Sequence, residues 1–296
     1  MAAVIARVPG WEGRAHVVGA LSGGITNRNH VVDVAGERFV VRLPGRDTDL
    51  LEIDRECERI AAGRAADLGL APDVLGIFDG CLVTRFVDGH PLPPANVADA
   101  ETLATIASML RTFHHSGALP HTFDAFAVPE LHRRAAVSRG VDIPVDYERA
   151  APIVAEIAQA FAASPEPSVP CHNDLLAANF LRNGDRLHLL DWEYAGMNDR
   201  AFDLGNLAVN NGLGSEAEEH LVTAYHGRMS RRHLARLRLM RLVSDAREAM
   251  WGVVQQGIST IDFDYRAYAA EHFDRLLAQA STPGYRANLQ ATTGPA

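Results

Sequence analysis

Two neighbouring stretches, Cys171–His172–Asn173–Asp174–Leu175–Leu176–Ala177–Ala178–Asn179 and Leu189–Leu190–Asp191–Trp192–Glu193–Tyr194, decide how this chain is read. Between them lie two short strand-like runs, Phe180–Arg182 and Leu187–Leu190, joined by Asn183–Gly184, the composition of a hairpin. A hairpin there brings the two polar stretches together. Asp174 is then a carboxylate able to take a proton from a hydroxyl, while Asn179 and Asp191 offer the hard oxygens that suit Mg2+. One base, two metal-holding groups and little covalent chemistry is the layout that phosphoryl transfer needs. Taken singly, each residue has a plain structural alternative: His172 and Asp174 as caps of loop backbone, Asp191 as the end of a strand. The joint pattern (His-x-Asp, then Asn, then Asp at a strand end) favours the catalytic reading.

Composition narrows the field. The 296 residues suit two lobes or one large α/β domain, and 47% hydrophobic with 22% charged residues excludes collagen-like, disulfide-scaffold and disordered classes. All 28 basic residues are arginine. With no lysine, Schiff-base enzymes and P-loop NTPases are excluded. A net charge of −9 argues against a nucleic-acid surface and favours a small cationic substrate. Cys57, Cys81 and Cys171 are odd in number and lack CxxC spacing, which predicts a reduced, cytoplasmic protein. The start, MAAVIARVPG, does not read as a signal peptide, and no apolar run is long enough to predict membrane insertion. Histidine is plentiful, but HExxH is absent, and His114, His115, His121 and His132 read as solvated or locally capped. GxSxG is also missing, so a serine hydrolase has no support.

Around the polar stretches, the pattern predicts strands at His16–Ala20, Asn29–Val34 and Arg38–Leu43, a helix at Ile53–Leu68 and a strand at Cys81–Phe86. Further helices are predicted at Ala98–His115, Glu148–Ala162, Arg200–Asn210, Arg231–Gln256 and Asp262–Ala280, then a frayed tail from Ser281. The expected organisation is an N-terminal nucleotide-binding lobe over 1–86 and a helical catalytic and substrate-binding lobe over 87–280. Most of the excess acidity falls in the second.

The chain resembles the kinase-like fold, and within it the aminoglycoside phosphotransferase and choline/ethanolamine kinase superfamily. His172–Asn173–Asp174 with Asn179 is similar to that superfamily's catalytic loop. Leu190–Asp191–Trp192–Glu193–Tyr194–Ala195–Gly196 with Phe202–Asp203–Leu204–Gly205–Asn206 is similar to choline kinases and their LicA-type bacterial relatives. The resemblance implies an α+β, two-lobed fold and a kinase that uses ATP and Mg2+ on a small cationic alcohol, choline or ethanolamine first. It implies Asp174 as the base, and Asn179 and Asp191 as metal ligands. Leu21–Asn27 is similar to the family's nucleotide-covering turn, bringing in Ser22 and Asn27. Arg42 stands where a phosphate-binding cation belongs, with Glu56 as its carboxylate partner. Thr84–Gly89 resembles the hinge that reads adenine. His172 and Asp203 are implied as supports of the loop.

For the acceptor, the resemblance implies Glu193, Tyr194, Asn210, Trp251 and Tyr268. A quaternary ammonium group wants aromatic faces and a carboxylate. Two departures bear on this pocket: Val253–Val254–Gln255–Gln256 lacks a second tryptophan, and Asn210–Asn211 replaces an expected carboxylate. An aminoglycoside, thiamine or other cationic-alcohol kinase therefore stays open, as does a kinase-like module that binds without turnover.

Overall fold

The computed structural model describes residues 1–21, 27–45 and 47–293. A five-stranded antiparallel sheet forms the first lobe, in the order β1-β2-β3-β5-β4. Its strands are β1 (Ala15–Ala20), β2 (Arg28–Val34), β3 (Glu37–Leu43), β4 (Val74–Phe78) and β5 (Cys81–Arg85). Val32, Val34, Phe39 and Val41 bury one face with Trp11 and Val4 of the short helix α1 (Ala2–Ile5). Strand alternation then turns Arg42 the other way, towards α2 (Arg55–Asp67). The carboxylate of Asp54 caps α2 by accepting from the Cys57 N–H. Its buried stripe is Cys57, Glu58, Ala61, Ala62 and Ala65, the helical period of three and four.

The chain passes through β6 (His90–Pro91) and α3 (Pro94–Val97) into α4 (Ala100–His114), α5 (Val128–Ser138) and α6 (Val145–Ala163). Three short strands follow, β7 (Val169–Cys171), β8 (Phe180–Asn183) and β9 (Arg186–Leu189), then β10 (Gly196–Asn198). β8 and β9 form the expected hairpin, with Phe180 opposite Leu189, while β10 pairs with β7. The remaining helices are α7 (Arg200–Asn210), α8 (Ser215–His226), α9 (Arg231–Ile258), α10 (Tyr265–Ala280) and α11 (Pro283–Thr292). α9 is the axis of this lobe, buried nearly all round. α7 crosses it closely at Gly205, where an added Cβ would lie 2.8 Å from Met240. The architecture is thus an α+β fold with a sheet lobe and a larger helical lobe.

The tail departs from expectation. Residues 283–292 form α11, and Tyr285 is buried with its hydroxyl donating to Glu156. The histidines depart as well: His114 and His132 are buried rather than solvated. No helix among the described residues is long and apolar enough to cross a membrane.

Candidate active site

The loop after β7 is held from beneath by α7. Asp203 is fully buried and accepts from the His172 N–H (2.9 Å), the Asn173 N–H (2.7 Å) and His114 Nε2 (2.9 Å). Burial pushes its carboxyl up, but the His114 bond and the neighbouring histidines outweigh that and hold it below its ordinary value. Asn206 adds an acceptor for the Leu175 N–H (2.5 Å), and Asn211 donates to the Leu175 carbonyl (3.0 Å). The loop turns at Asn173 through a left-handed φ of 67°. His172 then ties loop to hairpin: Nδ1 accepts from the Asp174 N–H (3.2 Å) and Nε2 donates to the Leu190 carbonyl (2.9 Å). Burial lowers its pKa, so the neutral ring carries its proton on Nε2, and it organises rather than shuttles.

Asn179 Nδ2 donates to the Asp174 carbonyl (2.8 Å), which leaves Oδ1 for a cation. Its own carbonyl accepts from the Leu190 N–H (2.8 Å), one residue before Asp191. Asp191 sits at a left-handed φ of 62° and is paired with Arg42 through Oδ1. Asp174, Asn179, Asp191 and Arg42 are thereby brought together. The free Asn179 oxygen and the Asp191 carboxylate are hard donors, the chemistry that fits Mg2+. Asp174 is 8% exposed, and burial pushes its carboxyl up to about 8 against the lowering effect of Arg247.

The partner of Arg42 is corrected by the structure. Glu56 lies exposed and pairs with Arg59 (2.5 Å), whereas Glu58, fully buried, meets Arg42. Glu58 also accepts from Arg55 (2.8 Å), which reaches on to Glu193 (3.3 Å). Glu193 accepts from Asn27 Nδ2 (3.1 Å), so its hydrogen bonds run to the sheet lobe and not to the aromatic group expected to hold the acceptor. Burial, then Asp191, raises the Glu193 carboxyl. Asn27 Oδ1 in turn accepts from the Gly45 N–H (3.3 Å). Ser22 lies outside the described residues.

The model of the choline/ethanolamine kinase family matches residues 18–219. The chain belongs to that family. The family's match runs from β1 into α8 and so takes in the loop after β7, Asp191 and Asp203. Among curated relatives, protein LicA of Haemophilus influenzae is 26% identical over 79% of this chain and 72% of its own. A probable ethanolamine kinase A of Dictyostelium discoideum is 28% identical over 86% of this chain and 83% of its own. Among solved structures, a choline/ethanolamine kinase family protein of Mesorhizobium loti superposes with a TM-score of 0.82 at 30% identity, covering 98% and 96% of the two chains.

Beyond the span of the family model, in α9 and α10, this choline/ethanolamine kinase family member departs from an open aromatic cage. Trp251 is buried, donates from Nε1 to the Tyr194 hydroxyl (3.0 Å) and meets Tyr268 edge-on at 5.6 Å. The Tyr268 hydroxyl donates to Glu248 (2.8 Å). Arg247 lies over the Tyr194 ring, its Cζ 4.2 Å from the centroid, and donates to Asp174 (3.2 Å). Tyr194, Trp251 and Tyr268 are therefore brought together, with a guanidinium already on one ring. Asn210 is not tied to the loop; its neighbour Asn211 is.

Glu58, Asn206 and Arg247 are the residues that sequence reading missed. For Glu58 a signal existed, since it shares the spacing of Cys57, Ala61, Ala62 and Ala65. Asn206 lay inside the Phe202–Asn206 run that carries the resemblance but had no role assigned, and Arg247 carried no signal, because both roles depend on contacts between distant segments.

Proposed function

We propose that this small-molecule kinase moves the γ-phosphoryl group of ATP to the hydroxyl of a small amino alcohol, with Mg2+ as its cofactor. The observation that carries the reading is the convergence of Asp174, Asn179 and Asp191 under Arg42, with His172 bridging loop and hairpin. Asp174 orients the acceptor hydroxyl and takes its proton. Arg42, steadied by Glu58, faces the phosphates and exchanges its Asp191 contact for them when nucleotide enters. Asn179 Oδ1 and Asp191 would hold Mg2+, which offsets phosphate charge. Asn27, Glu193 and Arg55 keep the sheet lobe over the helical one. The buried cleft makes each fixed charge more effective than it would be in water.

The amino-alcohol acceptor is supported by the family and by relatives named as ethanolamine kinases. Ethanolamine is favoured over choline, since Arg247 covers the Tyr194 face and Val253–Val254–Gln255–Gln256 lacks the second tryptophan expected after Trp251. The test is ADP release from MgATP with ethanolamine, choline, thiamine and aminoglycosides. Asp174→Asn should lower kcat by about 100-fold or more, the weight of a general base, with little change in Tm. An unchanged kcat in that variant refutes the assignment. ATP binding without turnover of any acceptor favours the non-catalytic module.

A further inference from the structure

One charged group in the acceptor region is only half used. Arg247 is 1% exposed. Its Nη1 donates to Asp174 Oδ1 (3.2 Å) and to Glu248 Oε1 (2.5 Å). Nε and Nη2 are buried too, yet neither has a hydrogen-bond partner among the described residues. These two nitrogens form the side of a guanidinium that presents parallel N–H groups, the fork that grips a carboxylate with two bonds. Buried donors without partners are uncommon in folded proteins, and water or a bound polar group is what satisfies them. His132, fully buried on α5, lies beside this guanidinium. Burial and then the Arg247 charge hold its pKa down at about 3, so it stays neutral and adds no second cation.

This guanidinium also touches the base. A carboxylate gripped by the free fork stands one guanidinium width from Asp174, a distance that a short hydroxyalkyl chain spans. An ammonium group on the same molecule is compensated by Asp174 and Glu248, which flank Arg247. A trimethylammonium group gains nothing comparable, because the Tyr194 face is already covered by positive charge.

We propose that Arg247 is the specificity-determining residue of the acceptor site, and that the acceptor is an amino alcohol that also carries a carboxylate, a small hydroxy amino acid. The inference rests on the kinase reading above and narrows its substrate class. In the reaction the acceptor oxygen forms its bond to the γ-phosphorus as the bond to the β–γ bridging oxygen breaks. The hydroxyl proton goes to Asp174 and ADP leaves. Arg247 holds the carboxylate throughout.

The test measures kcat/KM by ADP release with MgATP for L-serine, L-threonine and L-homoserine against ethanolamine and choline, in the wild type, Arg247→Lys and Arg247→Ala. The wild type is expected to prefer a hydroxy amino acid. Both variants should lose about 30-fold or more on it, the lower end for breaking a buried charged pair, chiefly through KM, while ethanolamine, which lacks the carboxylate, loses distinctly less, so that the ratio of the two kcat/KM values falls. Wild-type preference for ethanolamine or choline overturns the inference and leaves the kinase reading standing. An equal loss on both acceptor classes makes Arg247 structural and also overturns it. Absence of turnover on any acceptor, with ATP bound, overturns both readings. The wild-type ratio decides the matter even where a variant fails to fold.

Discussion

Exchanging Glu58 for glutamine tests the central correction that the structure makes. Glu58 is fully buried and meets two guanidinia, those of Arg42 and Arg55. Glu58→Gln keeps the shape and removes the charge. Breaking a buried ion pair from one side costs about 3–5 kcal/mol. Here Arg42 keeps Asp191 and Arg55 keeps Glu193, so the low end, about 3 kcal/mol, is expected. The freed Arg42 then leans on Asp191 alone, which holds it more tightly against exchange for the nucleotide phosphates. If a comparable free energy is lost from nucleotide binding, ATP affinity falls by about 100-fold. Urea unfolding and the KM for ATP read the two effects. Glu56→Gln is the control: its side chain is exposed and contacts only Arg59 among the described residues, so both measurements should stay at wild-type values. The reasoning is refuted if the two variants behave alike, or if Glu58→Gln leaves ATP binding untouched.

Asp203→Ala strands the N–H groups of His172 and Asn173, at about 1–3 kcal/mol each, and should lower both Tm and kcat; a stability loss without a rate loss would mean that the loop does not depend on α7. Gly205→Ala sets a Cβ 2.8 Å from Met240 in the α9 backbone, forcing the two helices apart at a cost of about 1–3 kcal/mol that calorimetry would detect. His132 should make the fold acid-sensitive. Its folded pKa, about 3, lies below the ordinary 6.5, so the unfolded chain binds the proton first and stability is lost as pH falls through that window. Between pH 7 and 5 this group alone removes about 2 kcal/mol. In His132→Gln the difference in urea stability between those two pH values should shrink by that amount; an unchanged difference would disprove it.

The fold was legible where physics is local. Alternating apolar residues gave β2 and β3 nearly to the residue, helical spacing gave α2, α7 and α9, and Asn183–Gly184 gave the hairpin. α5 and α8 escaped because short, partly polar helices are stabilised by the α9 and α4 surfaces they cover, which no window of sequence contains. α11 escaped for the same reason: Tyr285 finds Glu156 on α6, far away along the chain.

The polar stretch from His172 to Tyr194 shows the same division. By itself the sequence determined which groups are available: one carboxylate in a loop, an amide and a second carboxylate across a short hairpin, and arginine as the only strongly basic side chain. Those follow from residue type and short spacing. Only the tertiary structure decided which of them are paired. Glu58 prevails over Glu56 because strand and helix meet on one face. Asp203 holds His172 because α7 runs beneath the loop, and Arg247 covers Tyr194 because α9 passes through the acceptor region. Charges are fixed by composition, but whether a charge is solvated, paired or left with a free edge depends on burial among distant elements, and burial is a property of the packed whole.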